Sequence, residues 1–234
     1  MTSKRSYGDA CRLAHALDVV GERWALLVVR ELLLGPKRFT DLRQGLPNAS
    51  TNILAERLRD LEAGGVVRKR RLPPPAAASV YELTEWGREL EPIVTRLGAW
   101  GARSPAPPEQ MAIGPDSIVL AFRSLFDPDA AGDLTATYEL RLGEDEVFRV
   151  EVSGGELDLA RGAAEDPDGG ISTDPGTLAA LLTGQLELDA AISSGAAAIQ
   201  GPKRAVARFL RLFPMPEPCK CDEVEEALAA GAAA

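Results

Sequence analysis

One short stretch of the sequence carries side chains that suit the reading of DNA bases. Residues 50–65, STNILAERLRDLEAGG, place leucines at 54, 58 and 61 on one side of a predicted helix that Ser50 can cap. The opposite side carries Thr51, Asn52, Ala55, Glu56 and Arg59. Asparagine pairs with adenine, arginine pairs with guanine, and the methyl groups of alanine and threonine pack on thymine. The pattern therefore predicts contacts to base edges in a major groove.

Basic residues before and after this helix are candidate phosphate contacts, which add affinity without sequence information. Lys37 and Arg38 precede a short predicted helix, FTDLRQGL. Four consecutive cations follow the leucine-spaced helix, namely Arg68, Lys69, Arg70 and Arg71. Arg57 projects towards the edge of the leucine stripe, so either a phosphate contact or an internal ion pair is expected there. For any single residue, an ordinary solvated cation is the alternative.

The elements around these residues have the order of a winged helix-turn-helix domain. Residues 11–20 have a helical apolar period, and RWALLVVRELLLG is apolar around most of its circumference, which predicts a buried central helix. VVRKRRL and SVYELT are predicted strands around a PPPAAA loop, and a last helix is expected over 85–101. In this arrangement one helix fits the major groove while the two-stranded ribbon lies along the neighbouring backbone.

The charge distribution separates the two halves of the chain. Residues 1–104 hold 17 Lys and Arg against 12 Asp and Glu, whereas residues 105–234 hold 9 against 23, within a formal net charge of −9. Such asymmetry favours a nucleic-acid-facing first half. A proline-rich stretch, RSPAPPEQMAIGPD, falls at the changeover and is typical of a linker.

Several functional classes lack support in the sequence. No apolar run approaches the length of a membrane span, and the odd count of three cysteines favours a reducing compartment, so a cytoplasmic protein is expected. His15, the only histidine, lies among apolar residues and is interpreted as structural. Cys219 and Cys221 could chelate a soft metal with Asp222, but two sulfurs make a weak site. We therefore expect no enzyme, no metal and no cofactor.

Residues 11–101 resemble the HxlR family of bacterial winged-helix regulators. The matching pieces are G-x-R-W, G-P-x-R-F, R-L-R-x-L-E and Y-x-L-T-x-x-G, in the family's order and spacing. The resemblance implies a homodimer on a (pseudo)palindromic operator, with half-sites about 34–36 Å apart. The family often has a proline–arginine pair at the wing tip, where this chain has PPPAAAS. Some members use a cysteine at the position of Cys11 as a redox sensor, commonly followed by proline, where this chain has Arg12.

The second half predicts an α+β domain. SIVLAFRSLF has one apolar helical face, and residues 136–162 alternate apolar and polar positions across two glycine-containing turns, which predicts an antiparallel meander covered by helices. The phrases DPDGGISTDPGTLAALLTG, SGAAAIQG and FLRLF resemble the sterol-carrier-protein-like fold. That resemblance implies an apolar tunnel for a lipid-like or aromatic ligand. Its candidate wall residues, each also a core candidate, are Phe122, Phe126, Phe148, Leu182 and Phe209.

The segments expected are a DNA-binding and dimerisation domain over 1–104, a linker over 105–116, a sterol-carrier-like domain over 117–216 and a disordered or short helical tail over 217–234. The leading hypothesis is a transcription repressor that binds double-stranded DNA as a homodimer and responds to a small hydrophobic or aromatic ligand. One alternative is a redox-gated regulator that uses Cys11, with a purely structural second domain. Another is a hydrophobic-ligand carrier with vestigial DNA binding.

Overall fold

The computed structural model describes residues 6–74, 77–105 and 113–219. The chain divides into two compact units, Met1–Val94 and Thr95–Ala234. The predicted linker lies largely outside the described residues, and its last two residues already begin a helix. Of the predicted tail, only residues 217–219 are described. Among the residues that the structure describes, no helix is long and apolar enough to cross a membrane.

The first unit contains helices and one hairpin in the predicted order. Its elements are α1 (Arg12–Val20), α2 (Ala25–Leu32), α3 (Phe39–Gly45), α4 (Thr51–Ala63), β1 (Val67–Arg71), β2 (Ser79–Leu83), α5 (Glu85–Arg88) and α6 (Glu91–Ala102), the last continuing into the second unit. The core lies where the buried residues of α2, which include Val28 and Val29, pack against the leucine stripe of α4. The prediction of a buried central helix is confirmed.

The expected single helix over 85–101 is wrong, because the chain forms α5 and α6 with a turn between them. Pro92 accounts for the break. Its nitrogen cannot donate to the carbonyl of Arg88, and its ring would clash with that carbonyl in a continuous helix. Thr84 starts α5 by accepting a hydrogen bond from the amide of Gly87 at 3.0 Å.

The wing is an antiparallel hairpin with a third short element beside it. β1 and β2 pair from Val67 opposite Leu83 to Arg71 opposite Ser79. The backbone of Lys37 pairs with that of Tyr81, with N–H···O distances of 3.0 and 2.8 Å. This bridge fixes the segment before α3 against β2, which therefore lies between that segment and β1.

The second unit is a five-stranded sheet with helices. Its elements are α7 (Pro115–Leu125), α8 (Pro128–Ala131), β3 (Ala136–Leu142), β4 (Glu146–Ser153), β5 (Glu156–Arg161), β6 (Gly169–Thr173), α9 (Pro175–Leu182), α10 (Leu188–Ser194), β7 (Ala197–Gln200) and α11 (Lys203–Leu210). The strand order is β5-β4-β3-β6-β7. The predicted meander, β3 to β5, is confirmed.

The prediction of an antiparallel sheet is wrong in one respect, since β6 runs parallel to β3 and the sheet is mixed. Within the meander β4 lies between β3 and β5, so β3 and β5 each have one side open for pairing, and β6 pairs with β3. The chain after β5 crosses to the open side of β3. The amide of Ala164 donates to Glu139 Oε2 at 2.9 Å and the amide of Asp168 donates to the carbonyl of Thr137 at 2.8 Å. β6 therefore enters beside β3 in the same direction.

Candidate nucleic-acid interface

The fourth helix presents two different sides, as predicted. Leu54, Leu58 and Leu61 are buried in the core. Ser50 caps the helix, because its hydroxyl accepts from the amide of Ile53 at 3.3 Å. The side that faces solvent carries the predicted base-reading set: Thr51, Asn52, Glu56 and Arg59 exposed and Ala55 half-buried.

Arg59 lies along its own helix. Its Nε donates to the carbonyl of Ala55 at 3.3 Å, one turn earlier. The contact is long and exposed, so it offers little resistance to extension of the guanidinium towards a base edge.

Arg57 forms internal ion pairs, which is one of the two alternatives that the sequence left open. The residue is 9% exposed. Its guanidinium lies 3.1 Å from Asp60, 3.3 Å from Glu56 and 3.8 Å from Glu22. Three carboxylates around one guanidinium leave it little net positive charge for a phosphate.

The two cations before α3 differ in their surroundings. The ammonium of Lys37 lies 2.6 Å from Glu31, a carboxylate that is only 2% exposed and that also accepts from Arg30 at 2.8 Å. Gly45 leaves room for this carboxylate, since a Cβ there would lie 2.2 Å from Glu31 Oε2. Arg38 is exposed at the start of α3. Of the two side chains, Arg38 is the one placed to meet a phosphate.

The wing carries its four cations on two faces. Arg68 and Arg70 share one face and both reach the buried carboxylate of Glu82. On the other face the ammonium of Lys69 lies 5.6 Å from the ring centroid of Tyr81, and Arg71 is exposed at the end of the strand. The wing-tip residues 75 and 76 lie outside the described residues.

Exposed apolar side chains of the first unit lie on α1, on α5 and at the start of α6. The exposed fractions reach 66% at Leu13, 51% at Trp86 and 56% at Ile93. Between α1 and α5 runs a groove of about 280 Å³ with an apolar floor that includes Val19, Val66 and Leu90 and with Arg12, His15 and Glu89 also in its lining. Large contiguous apolar surfaces of this kind mark contacts with another macromolecule or a ligand.

Two of the candidate tunnel walls of the second unit, Phe122 and Phe209, pack on each other and on Phe213. Phe122 is stacked on Phe213 with ring centroids 4.3 Å apart and meets Phe209 edge-on at 5.5 Å. Phe122, Phe148 and Phe209 are at most 1% exposed, whereas Phe126 and Leu182 are half-buried. The guanidinium of Arg161 lies 5.0 Å over the ring of Phe148.

Two cysteines are described, Cys11 and Cys219. Cys11 is exposed at the start of α1, where the nearby backbone amides of Ala14 and Leu13 lower the pKa of its thiol. Cys219 is half-buried, and Cys221 lies outside the described residues. Over the described ranges, no group of three His, Cys, Asp or Glu side chains comes together in a way that could hold a metal.

The sequence reasoning missed two buried carboxylates beside the predicted cations, Glu31 and Glu82. For Glu82 strand alternation gave no signal, because it places this residue on the face opposite Tyr81 and Leu83, which pack in the core. For Glu31 the signal was a charge inside a helix that is otherwise apolar around most of its circumference.

A capped helix with an exposed polar face, next to a basic hairpin, defines a winged helix-turn-helix DNA-binding protein. Residues 19–108 match the HxlR-like helix-turn-helix family. The HTH-type transcriptional regulator YvaP of Bacillus subtilis (strain 168) is 38% identical over 89 residues, which are 38% of this chain and 82% of that protein. The chain belongs to the HxlR-like helix-turn-helix family of transcription regulators.

Two solved structures are also similar to parts of the chain. The oxidised form of the redox regulator HypR is 35% identical and covers 41% of this chain and 99% of its own, with a TM-score of 0.37. A double mutant of the sec-alkyl sulfatase PisA1 is 21% identical and covers 46% of this chain and 17% of its own, with a TM-score of 0.41. Residues 112–219 match the alkyl sulfatase C-terminal family. The α+β architecture expected of the second half is confirmed, and the matching family is this one rather than specifically the sterol carriers.

Proposed function

We propose that the protein is a homodimeric transcription repressor that contacts the bases of its operator with α4 and binds the flanking phosphates with the wing. The observation that carries the proposal is the exposed face of α4 with Asn52 and Arg59, on a helix that packs against β1, the strand that bears the cations. Arg38, Lys69 and Arg71 are the cations without a described carboxylate partner, and they are assigned to phosphates together with Arg68 and Arg70. Arg57 and Lys37 are assigned to supporting the interface from within.

The experiment selects an operator from random duplexes with the full chain and then measures affinity by fluorescence anisotropy. Arg59→Ala is expected to cost about 1–3 kcal/mol of specific binding and to relax selectivity at one position of each half-site. Arg88→Ala, which removes an exposed cation from α5, is the matched control and should leave selectivity unchanged. Equal effects of the two variants, or failure to select any duplex, would remove the proposal.

Dimerisation is assigned to the apolar surface on α1, α5 and α6. HxlR regulators are typically dimeric, and this surface supplies the unpartnered apolar area that a dimer needs. Ile93→Glu should convert the protein to a monomer in sedimentation experiments. Met215→Glu changes another exposed apolar residue and should leave the dimer intact. A monomeric wild-type chain would contradict this part of the proposal.

Repression is inferred because a dimer seated on two adjacent half-sites covers the DNA that a polymerase would occupy. A reporter placed behind the selected operator should lose expression when the protein is supplied. A rise in expression would show an activator instead.

A hydrophobic ligand of the second unit, if it modulates binding, should contact Phe126 and Leu182. Phe122 and Phe209 pack on other rings, which favours a core role for them. Native mass spectrometry of the purified protein is the test. A stoichiometric apolar compound would support modulation, and the same compound with no DNA binding at all would favour the carrier alternative.

A redox gate through Cys11 is the second candidate. It is favoured by the exposure of the thiol and by the nearby backbone amides that lower its pKa, since the thiolate is the reactive form. HypR, a relative at 35% identity, is a redox regulator. Cys11→Ser should abolish any effect of an oxidant on operator affinity, while Cys219→Ser should not.

A further inference from the structure

One buried carboxylate joins two of the four wing cations. Glu82 is 5% exposed. Its Oε1 accepts from Arg68 Nε at 2.7 Å, and its Oε2 accepts from Arg70 Nε at 3.1 Å and lies 2.9 Å from Arg70 Nη2. Both oxygens of one carboxylate are therefore engaged, each by a different guanidinium.

The register of the hairpin produces this arrangement. Arg68 lies directly opposite Glu82, and Arg70 is two residues further along the same face of β1. The guanidiniums remain accessible, with side chains 60% and 46% exposed, although the carboxylate beneath them is not. A phosphate approaching this face would meet two guanidiniums held at fixed positions.

Glu82 is ionised at neutral pH. Burial by itself would raise the pKa of this carboxyl, but hydrogen bonds from Arg70 and Arg68 and their positive charges outweigh burial and hold the pKa below its usual value. The three side chains together consequently carry one net positive charge, where the two arginines alone would carry two.

We propose that Glu82 is a specificity-determining residue of the DNA interface, which fixes Arg68 and Arg70 in one arrangement and limits their affinity for phosphates in general. The proposal rests on the proposed DNA-binding function. Guanidiniums in fixed positions contact phosphates well only when the duplex is seated in one register. Released arginines would reach phosphates in any register, so sequence-independent binding would gain more than operator binding.

The size of the effect follows from counterion release. One additional phosphate contact makes the slope of log affinity against log salt steeper by about 0.9, which at 0.1 M salt is about an eightfold gain in affinity for DNA of any sequence. Glutamine at position 82 removes the negative charge while nearly preserving size and one hydrogen-bond acceptor. Glu82→Gln should therefore show this gain on duplexes of random sequence.

The experiment measures the affinity of the full chain for the selected operator and for a random-sequence duplex over a salt series. Glu82→Gln is expected to steepen the random-duplex slope by about 0.9 and to lower the ratio of operator to random affinity several-fold. Glu85→Gln, which changes the net charge equally at an exposed site on α5, is the control and should leave the ratio unchanged. A Glu82→Gln variant that behaves like this control overturns the proposal.

A second variant, Glu82→Asp, distinguishes the positioning of the two arginines from the charge of the carboxylate. It also replaces Glu82→Gln if that variant does not fold, as judged by tryptophan fluorescence. Glu82→Asp keeps the charge, but its shorter side chain cannot reach both guanidiniums. Its random-duplex slope should match the wild type while the operator-to-random ratio falls. An unchanged ratio contradicts the positioning role. If the wild type itself binds no duplex in a salt-dependent way, the proposed function fails and this inference fails with it. If the wild type binds DNA but the Glu82 variants have the same slope and the same operator-to-random ratio, only the role of Glu82 is removed.

Discussion

Replacing Lys37 by methionine should destabilise the first unit far more than it weakens DNA binding. The change leaves the carboxylate of Glu31, 2% exposed, with Arg30 but without the ammonium now 2.6 Å away. Breaking a buried ion pair from one side costs about 3–5 kcal/mol, and the remaining Arg30 contact reduces the expected loss to the bottom of that range or slightly below it, about 2–3 kcal/mol. Arg38→Met, at the exposed neighbouring position, should cost less than about 0.5 kcal/mol.

Denaturant unfolding followed by tryptophan fluorescence measures this loss. Two of the three tryptophans, Trp24 and Trp86, lie in the first unit, so most of the signal follows its unfolding. Adding Glu31→Gln to the Lys37→Met variant should recover part of the stability, because it removes the uncompensated buried charge. In DNA titrations, the folded Arg38→Met protein should lose more salt dependence than folded Lys37→Met. Equal stability of the two single variants, with the larger loss of salt dependence at Lys37, would refute the reasoning.

Three further changes test other parts of the structure. Gly87→Ala should cost about 3 kcal/mol of stability by overpacking, since the added Cβ would lie 2.1 Å from the carbonyl oxygen of Val66. Gly101→Ala in α6 has open space and should be neutral or stabilising. Denaturant unfolding measures both. Asp174 caps α9, and hydrogen bonds lower its pKa, so its contribution is complete above the unfolded pKa near 4 and is lost as pH falls through the folded pKa. Asp174→Asn should flatten that acid limb in unfolding curves measured from pH 6 to 2, and an unaltered limb would contradict the assignment. Phe122→Ala should cost about 3–5 kcal/mol as a buried core ring, and a loss under 1 kcal/mol in the melting of the second unit would show a cavity wall instead.

Local patterns were enough to predict most elements of the first unit. The leucine stripe of α4, its Ser50 cap and the glycines that follow all act within one or two helical turns, so the side of the helix that faces solvent could be stated before the fold was known. The hairpin followed from the same kind of local signal. The break at Pro92 was also local, and the expected single helix overlooked it.

Contacts between distant residues decided the rest of the candidate site. Arg68 and Glu82 are 14 residues apart, and only the register of β1 on β2 reveals that a wing cation is held by a carboxylate. In the same way, the segment carrying Lys37 reaches Tyr81 through the backbone bridge, while its ammonium turns to Glu31. A run of cations in a sequence gives the charge of a surface but not the share of it that buried acids neutralise.

The sequence by itself determined the winged-helix order, the division of charge between the halves and the polar face of α4, because each depends on residue type and short spacing. The tertiary structure alone decided the parallel pairing of β6 with β3, the packing of Phe122 on Phe213 and the left-handed backbone of Trp24, with φ of 77°. No local preference selects that conformation for tryptophan, so it persists only because the surrounding core, against which Trp24 packs, compensates its cost of about 1–3 kcal/mol. Such features are set by which distant surfaces meet, and that information lies in the folded arrangement of the whole unit.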